Sequence, residues 1–222
     1  MTARSVPMPV ASRSEVRATV LPLARVEGRR LIRHPLVLVA AALLVALDFL
    51  ALLFLDQTDA DGYAWSLLVP FTPFGAAVLV AVNLAALRGV RDGADELYAS
   101  LPAPGRARTA AHLVSLAWAV AATALLVTLA VLVFMSKGGP SPSVLEAVFA
   151  PAIVAFCGAF GLALARWIPH PAAATIGVVG MFILVNLVGP AESSWWLLVP
   201  GIVGLAILSG ALALLRDRSR LA

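Results

Sequence analysis

Six apolar stretches, each long enough to cross a bilayer core of roughly 30 Å as a helix, govern what this chain can fold into. They run from about 36 to 55, 63 to 87, 110 to 135, 144 to 165, 172 to 189 and 197 to 215. In lipid a helix satisfies its own backbone polar groups, so the pattern predicts an all-α polytopic membrane protein with six transmembrane helices. Composition agrees, since 61% of the residues are hydrophobic and 13% charged, against roughly 45–50% and 25% in soluble chains. The single cysteine, Cys157, lies inside the fourth stretch, which excludes a disulfide framework and a cysteine-based metal site. The first stretch starts only at residue 36 and is too long for the apolar part of a signal peptide, so it is expected to stay as span one.

Charge placement gives the orientation. With the N-terminus in the cytoplasm, the inner segments are 1 to 35, 88 to 109, 166 to 171 and 216 to 222, and they hold every arginine. Of the 16 Lys and Arg residues only Lys137 falls outside. That asymmetry predicts a multi-pass protein of the cytoplasmic membrane with both termini cytoplasmic. The same placement assigns the net charge of +4 to anionic membrane lipids as partners and not to nucleic acid. Trp65, Trp195 and Trp196 fall at outer boundaries and Trp167 at an inner one, where indoles prefer to sit, while Trp118 fits less well. Residues 1–19 read as a flexible cytoplasmic tail, 35–216 as the transmembrane domain, and 217–222 as a second short tail.

Within the spans, prolines 70, 73, 151 and 200 invite bends. Gly158 with Gly161, Gly177 with Gly180, and Gly201 with Gly204 invite close helix packing.

Two segments are not spans. Residues 20–34 predict an amphipathic helix with Pro22 in its first turn and Arg25, Arg29 and Arg33 along one stripe, while Val20, Ala24 and Leu31 share another face. Such a helix lies in the headgroup plane and leads into span one at Pro35. Glu27 falls in its apolar seam, with Arg30 three residues on as its natural partner and contact with the core or another chain as the alternative. The loop 88–109 predicts a short helix with Asp92 as cap, Asp95 and Glu96 in the first turn, and Pro102 as its stop. Ala94, Leu97, Tyr98 and Leu101 give it one apolar face available to protein.

These two segments, "PLARVEGRRLIRHP" at 22–35 and "RDGADELYASLPAPGRAR" at 91–108, resemble the membrane permease subunits of type-2 ATP-binding-cassette (ABC) transporters. The first looks like that family's elbow helix, and the second like its acidic loop helix with a Ser-Leu-Pro stop and a basic return to the membrane. The resemblance implies a permease, of exporter type, that works as a pair of identical or different copies. It further implies that each copy couples through the loop helix to a separate cytoplasmic ATPase, which binds ATP and Mg. On that resemblance Asp95, Glu96, Leu97, Tyr98 and Leu101 would form the ATPase-docking surface. The short "PAESSWW" at 190–196 departs from the longer outer segment of many members.

The residues themselves argue against chemistry by this chain. A phosphate-cradling loop needs Gly-x-x-x-x-Gly-Lys-Ser/Thr, and the one lysine, Lys137, is followed by glycine, so no bound cofactor is expected. His34, His112 and His170 lie at inner boundaries, apart in sequence, and neither Gly-x-Ser-x-Gly nor His-Glu-x-x-His occurs, which argues against an intramembrane protease. The alternative to the permease is a gradient-driven secondary transporter, which would need ionisable groups at membrane depth. Asp48 in span one is the candidate, with Asn83 and Asn186 as polar partners along a possible pathway.

Overall fold

The computed structural model describes residues 13–54, 71–91, 105–136, 138, 143–188 and 195–219, and among these every regular element is an α-helix. The seven helices are α1 (Arg13–Ile32), α2 (Pro35–Phe54), α3 (Phe71–Arg91), α4 (Gly105–Ser136), α5 (Val144–Trp167), α6 (Ala172–Val188) and α7 (Trp195–Ser219).

Local chemistry sets the helix ends. Proline has no N–H and restricts the residue before it, so α1 stops at Ile32 and α2 starts at Pro35, where the missing donor costs nothing. The axis turns by 59° across this break. Ser143 caps α5 reciprocally: its hydroxyl accepts from the Glu146 N–H at 3.3 Å, and its own N–H donates to the Glu146 carboxylate at 2.7 Å. The Gly138 N–H donates to the Met135 carbonyl at 3.1 Å just beyond α4, with φ at 85°, a conformation that suits glycine. At the start of α6, the Ala172 N–H donates to Nδ1 of His170 at 3.1 Å.

Among the described residues, three helices are long and apolar enough to cross a membrane: α3 over Phe71–Arg88, α4 over Arg106–Ser136, and α5 over Val144–Trp167. The bent pair α1–α2 makes a fourth if it is counted as one span. The segment Gly201–Arg216 of α7 is apolar but shorter, and α6 has 17 residues. The described residues are therefore all-helical in their regular elements and compatible with a multi-pass membrane protein.

Helix α5 is the hub, packed against α3, α4, α6 and α7, while α2 leans on α3 and α1 lies along α4. The core runs through Leu44 of α2, Phe71 and Val78 of α3, Leu116 of α4, Val154 and Leu162 of α5, and Ala213 of α7. Small residues permit the approach. A Cβ on Gly158 would collide with the Leu116 side chain, and one on Gly161 with the Leu79 carbonyl, so the expected packing role holds at both. Gly177 is likewise closed in, by Leu164, whereas Gly180, Gly201 and Gly204 face open space. Outward faces are rich in large apolar side chains, including Val39 and Phe49 of α2, Leu125 and Leu132 of α4, and Ile207 of α7, as lipid contact demands.

Two expectations change. Helix α1 begins at Arg13, so residues 13–19 are helical and not part of a loose tail; that stretch contains neither Gly nor Pro to interrupt it. Pro22 is consequently inside α1 and not in its first turn. Pro151 is buried within α5, which continues through it from Val144 to Trp167.

Candidate functional site: the arginine-bearing end of the bundle

Arg25 and Arg29 of α1 and Arg33 just beyond it are exposed, while Ala24, Gly28 and Leu31 turn inward. That inward face packs on α4, where Gly28 lies against the indole of Trp118. This contact accounts for Trp118, whose depth suited neither boundary. Glu27 takes both of the roles open to it. It accepts from Nη1 of Arg30 at 3.1 Å, and with its side chain only 16% exposed it also faces the bundle.

The charge of Glu27 also acts on His112, on the first turns of α4. Glu27, Arg88, Arg108 and Arg166 all lie close enough to His112 for their charges to act on it. Each is held by a packed neighbour: Leu87 is buried beside Arg88, Ala107 and Thr109 beside Arg108, Ala111 beside His112, and Ala165 beside Arg166. Arg88 also acts on His34, in the corner between α1 and α2. Burial and that positive charge together hold the His34 imidazole below its usual pKa. Nδ1 of His34 is buried without a hydrogen-bond partner among the described residues. His34 and His112 thus share one neighbour, Arg88, although they are far apart in sequence. His170 is separately engaged as the cap of α6.

On the same side, α5 and α7 are joined by Trp167, whose Nε1–H donates to the Leu212 carbonyl at 3.3 Å. The guanidinium of Arg216 lies 5.3 Å from the centre of its ring.

Of the possible pathway residues, the side chains of Asp48 and Asn83 are described. Asp48 is half-buried on α2, with no hydrogen bond or ion pair among the described residues. Asn83 is fully buried on α3, and its amide donates to the Gly161 carbonyl of α5 at 3.1 Å, so its visible partner is backbone and not Asp48. The Asn186 side chain lies outside the described residues, as do Asp95, Glu96, Leu97, Tyr98, Leu101 and the whole expected docking helix. Among the described residues no group of three or more His, Cys, Asp or Glu side chains is placed to hold a metal.

The convergence of Arg88, Arg108 and Arg166 on His112 was not legible in the sequence. The only hint was that each arginine sits at an inner span end, which says nothing about which ends are neighbours.

Compared with models of known protein families, with curated proteins and with solved structures, the chain matches none. The resemblance to ABC permeases therefore rests on the chain's own residues.

Proposed function

We propose that this chain is the permease subunit of an ABC exporter. In this reading it has six transmembrane helices and cytoplasmic termini, pairs with a second permease copy, and is driven by a separate cytoplasmic ATPase that binds ATP and Mg. The observation that supports it most is the α1–α2 corner. A helix with an exposed arginine stripe packs its inward face on the bundle and turns 59° at a proline into the first apolar helix. That arrangement suits an elbow helix at the membrane surface, although α1 is bound to α4 as well as facing headgroups. The loop at 92–101 supplies the docking helix in the same reading.

The rival, a gradient-driven transporter, is not favoured. It needs a coupled set of ionisable groups at membrane depth. Asp48 has no such partner among the described residues.

Co-purification with an ATPase tests the proposal. The docking face is small, so Leu97 and Leu101 should anchor it with Tyr98 beside them. Burying one leucine is worth roughly 1.5–3 kcal/mol, and an aspartate in its place adds a desolvation cost. Leu97→Asp should leave the chain inserted yet lose the ATPase and substrate-stimulated ATP turnover, whereas Val10→Asp in the N-terminal segment should change neither. Retention of both by Leu97→Asp, or absence of any ATPase on the parent chain, would refute the assignment.

A further inference from the structure

Asp48 is the one charged residue of α2, a helix otherwise apolar from Pro35 to Phe54. It lies about 20 Å along the axis from Pro35 at roughly 1.5 Å per residue, well clear of the α1–α2 corner. Val37, Ala40 and Leu44 form the buried stripe of α2, which rests on α3. Asp48 follows Leu44 by one turn on the same side, and there the stripe becomes partly exposed. Beside it Val45 and Phe49 are exposed. A carboxyl group thus stands at the edge of a helix contact, open on one side and bordered by apolar side chains.

No cation of the chain answers it. Asp48 makes no hydrogen bond or ion pair among the described residues. Every arginine falls in 1–35, 88–109, 166–171 or 216–222, outside the apolar stretches or at their ends. The single lysine, Lys137, follows α4 in sequence, whereas α2 packs chiefly on α3. A second copy in the same orientation carries its cations at the same levels, so it supplies none at this depth. An unpaired carboxylate in apolar surroundings is costly, and an ionisable residue at membrane depth marks a place where something else binds.

The surroundings select the ligand. Calcium and magnesium ions need about six or more oxygen ligands, and among the described residues no group of three or more His, Cys, Asp or Glu side chains is placed to hold a metal. One carboxylate among apolar side chains suits a cation that brings its own apolar body. A single charge contact fixes its head, and Val45, Phe49 and the lipid accept the rest.

We propose that Asp48 binds a lipophilic organic cation, an ammonium or other onium group on an apolar body, which enters sideways from the lipid. The site stands on the geometry of α2; that its ligand is also the transported cargo rests on the permease proposal.

Equilibrium dialysis of the full-length chain in detergent tests this, with empty micelles as background. The probe is tetraphenylphosphonium, and its control is tetraphenylborate, an anion of nearly the same size and shape. The parent should bind the phosphonium saturably and prefer it to the borate by about tenfold or more, the worth of one charge-assisted contact. This comparison needs no variant, so it stands even where a substitution unfolds the chain. Asp48→Asn keeps the side-chain shape and removes the charge, and should lose roughly tenfold in phosphonium affinity at an unchanged unfolding temperature. Asp48→Glu should keep most of the affinity. Glu146→Gln, which removes a different acid, at the cap of α5, should bind as the parent does. The proposal is overturned if the parent takes up phosphonium and borate alike, or if it binds neither, as when Lys137 already neutralises Asp48. Parental affinity in Asp48→Asn overturns it as well. Binding is read without ATP or a partner subunit, so its failure leaves the ATPase co-purification result standing. Conversely, a chain that binds the phosphonium but no ATPase loses the permease reading and keeps the site.

Discussion

The side-chain amide of Asn83 on α3 donates to the backbone carbonyl of Gly161 on α5 at 3.1 Å, at the point where those two helices come close enough for glycine alone to fit. One face of the amide is thereby used. The other, Oδ1, is buried without a hydrogen-bond partner among the described residues. An interhelical hydrogen bond in a membrane protein contributes about 0.6 to 2 kcal/mol, and an unpaired buried oxygen subtracts from that.

Asn83→Leu removes the bond and the unpaired oxygen together, at similar volume. Its unfolding free energy in detergent should stay within about 1 kcal/mol of the parent. Asn83→Asp places an ionisable group in the same buried position and should cost several times as much. Equal loss in the two variants would show that the bond itself, and not the polarity of the site, governs stability there.

Gly161→Ala drives a methyl group into the Leu79 backbone, which cannot swing aside, so it should destabilise by roughly 1–3 kcal/mol despite alanine's better helix propensity. Gly180→Ala meets nothing within 4 Å and should be neutral or stabilising by up to about 1 kcal/mol. Thermal unfolding of both variants in one detergent gives the comparison. A large loss at Gly180 would mean that its open face is covered by something beyond this chain.

His34 gives the protein an acid sensitivity of predictable sign. Its folded pKa is lowered by burial and by Arg88, so below the ordinary value of 6.5 the unfolded chain takes up a proton before the folded one. Stability is therefore unaffected at neutral pH and falls as pH drops from 6.5 towards the folded value. His34→Gln should show a smaller fall in unfolding temperature than the parent between about pH 7.5 and 5.5. Parallel curves for the two proteins would remove His34 as the cause.

Orientation is tested with single cysteines. Cys157→Ser provides the background, Gly105→Cys a position expected inside, and Ser141→Cys one expected outside. An impermeant thiol reagent on intact cells should label position 141 and not 105. The reverse would invert the topology, and with it the cytoplasmic placement of the docking loop.

Much of the helical layout was legible because apolar length and helix punctuation are local properties. The run expected at 144–165 is α5 at Val144–Trp167, and the turn at Pro35 falls where proline chemistry puts it. The start of α1 was misplaced because Pro22 looked like a first-turn residue, whereas here it interrupts a helix already under way. The charged end of the bundle was hidden for a different reason. Arg88, Arg108 and Arg166 come to act on His112 only through the packing of α3 and α4 on α5, and pairing between distant segments leaves no periodicity within any one of them. Glu27 lies between these cases: its Arg30 partner was readable from i, i+3 spacing, but its approach to His112 was not.

The seating of α1 against α4 sets the timetable by which the protein is built. Helix α1 is translated before α4, so the surface it rests on, with Trp118 opposite Gly28, emerges from the ribosome some 90 residues later. Until then its buried face of Ala24, Gly28 and Leu31 lacks most of its packing partners. A segment made before α4 thus has to wait for α4 before it can reach its final position. A nascent chain arrested before α4 would present α1 to chaperones and proteases as an unfinished end.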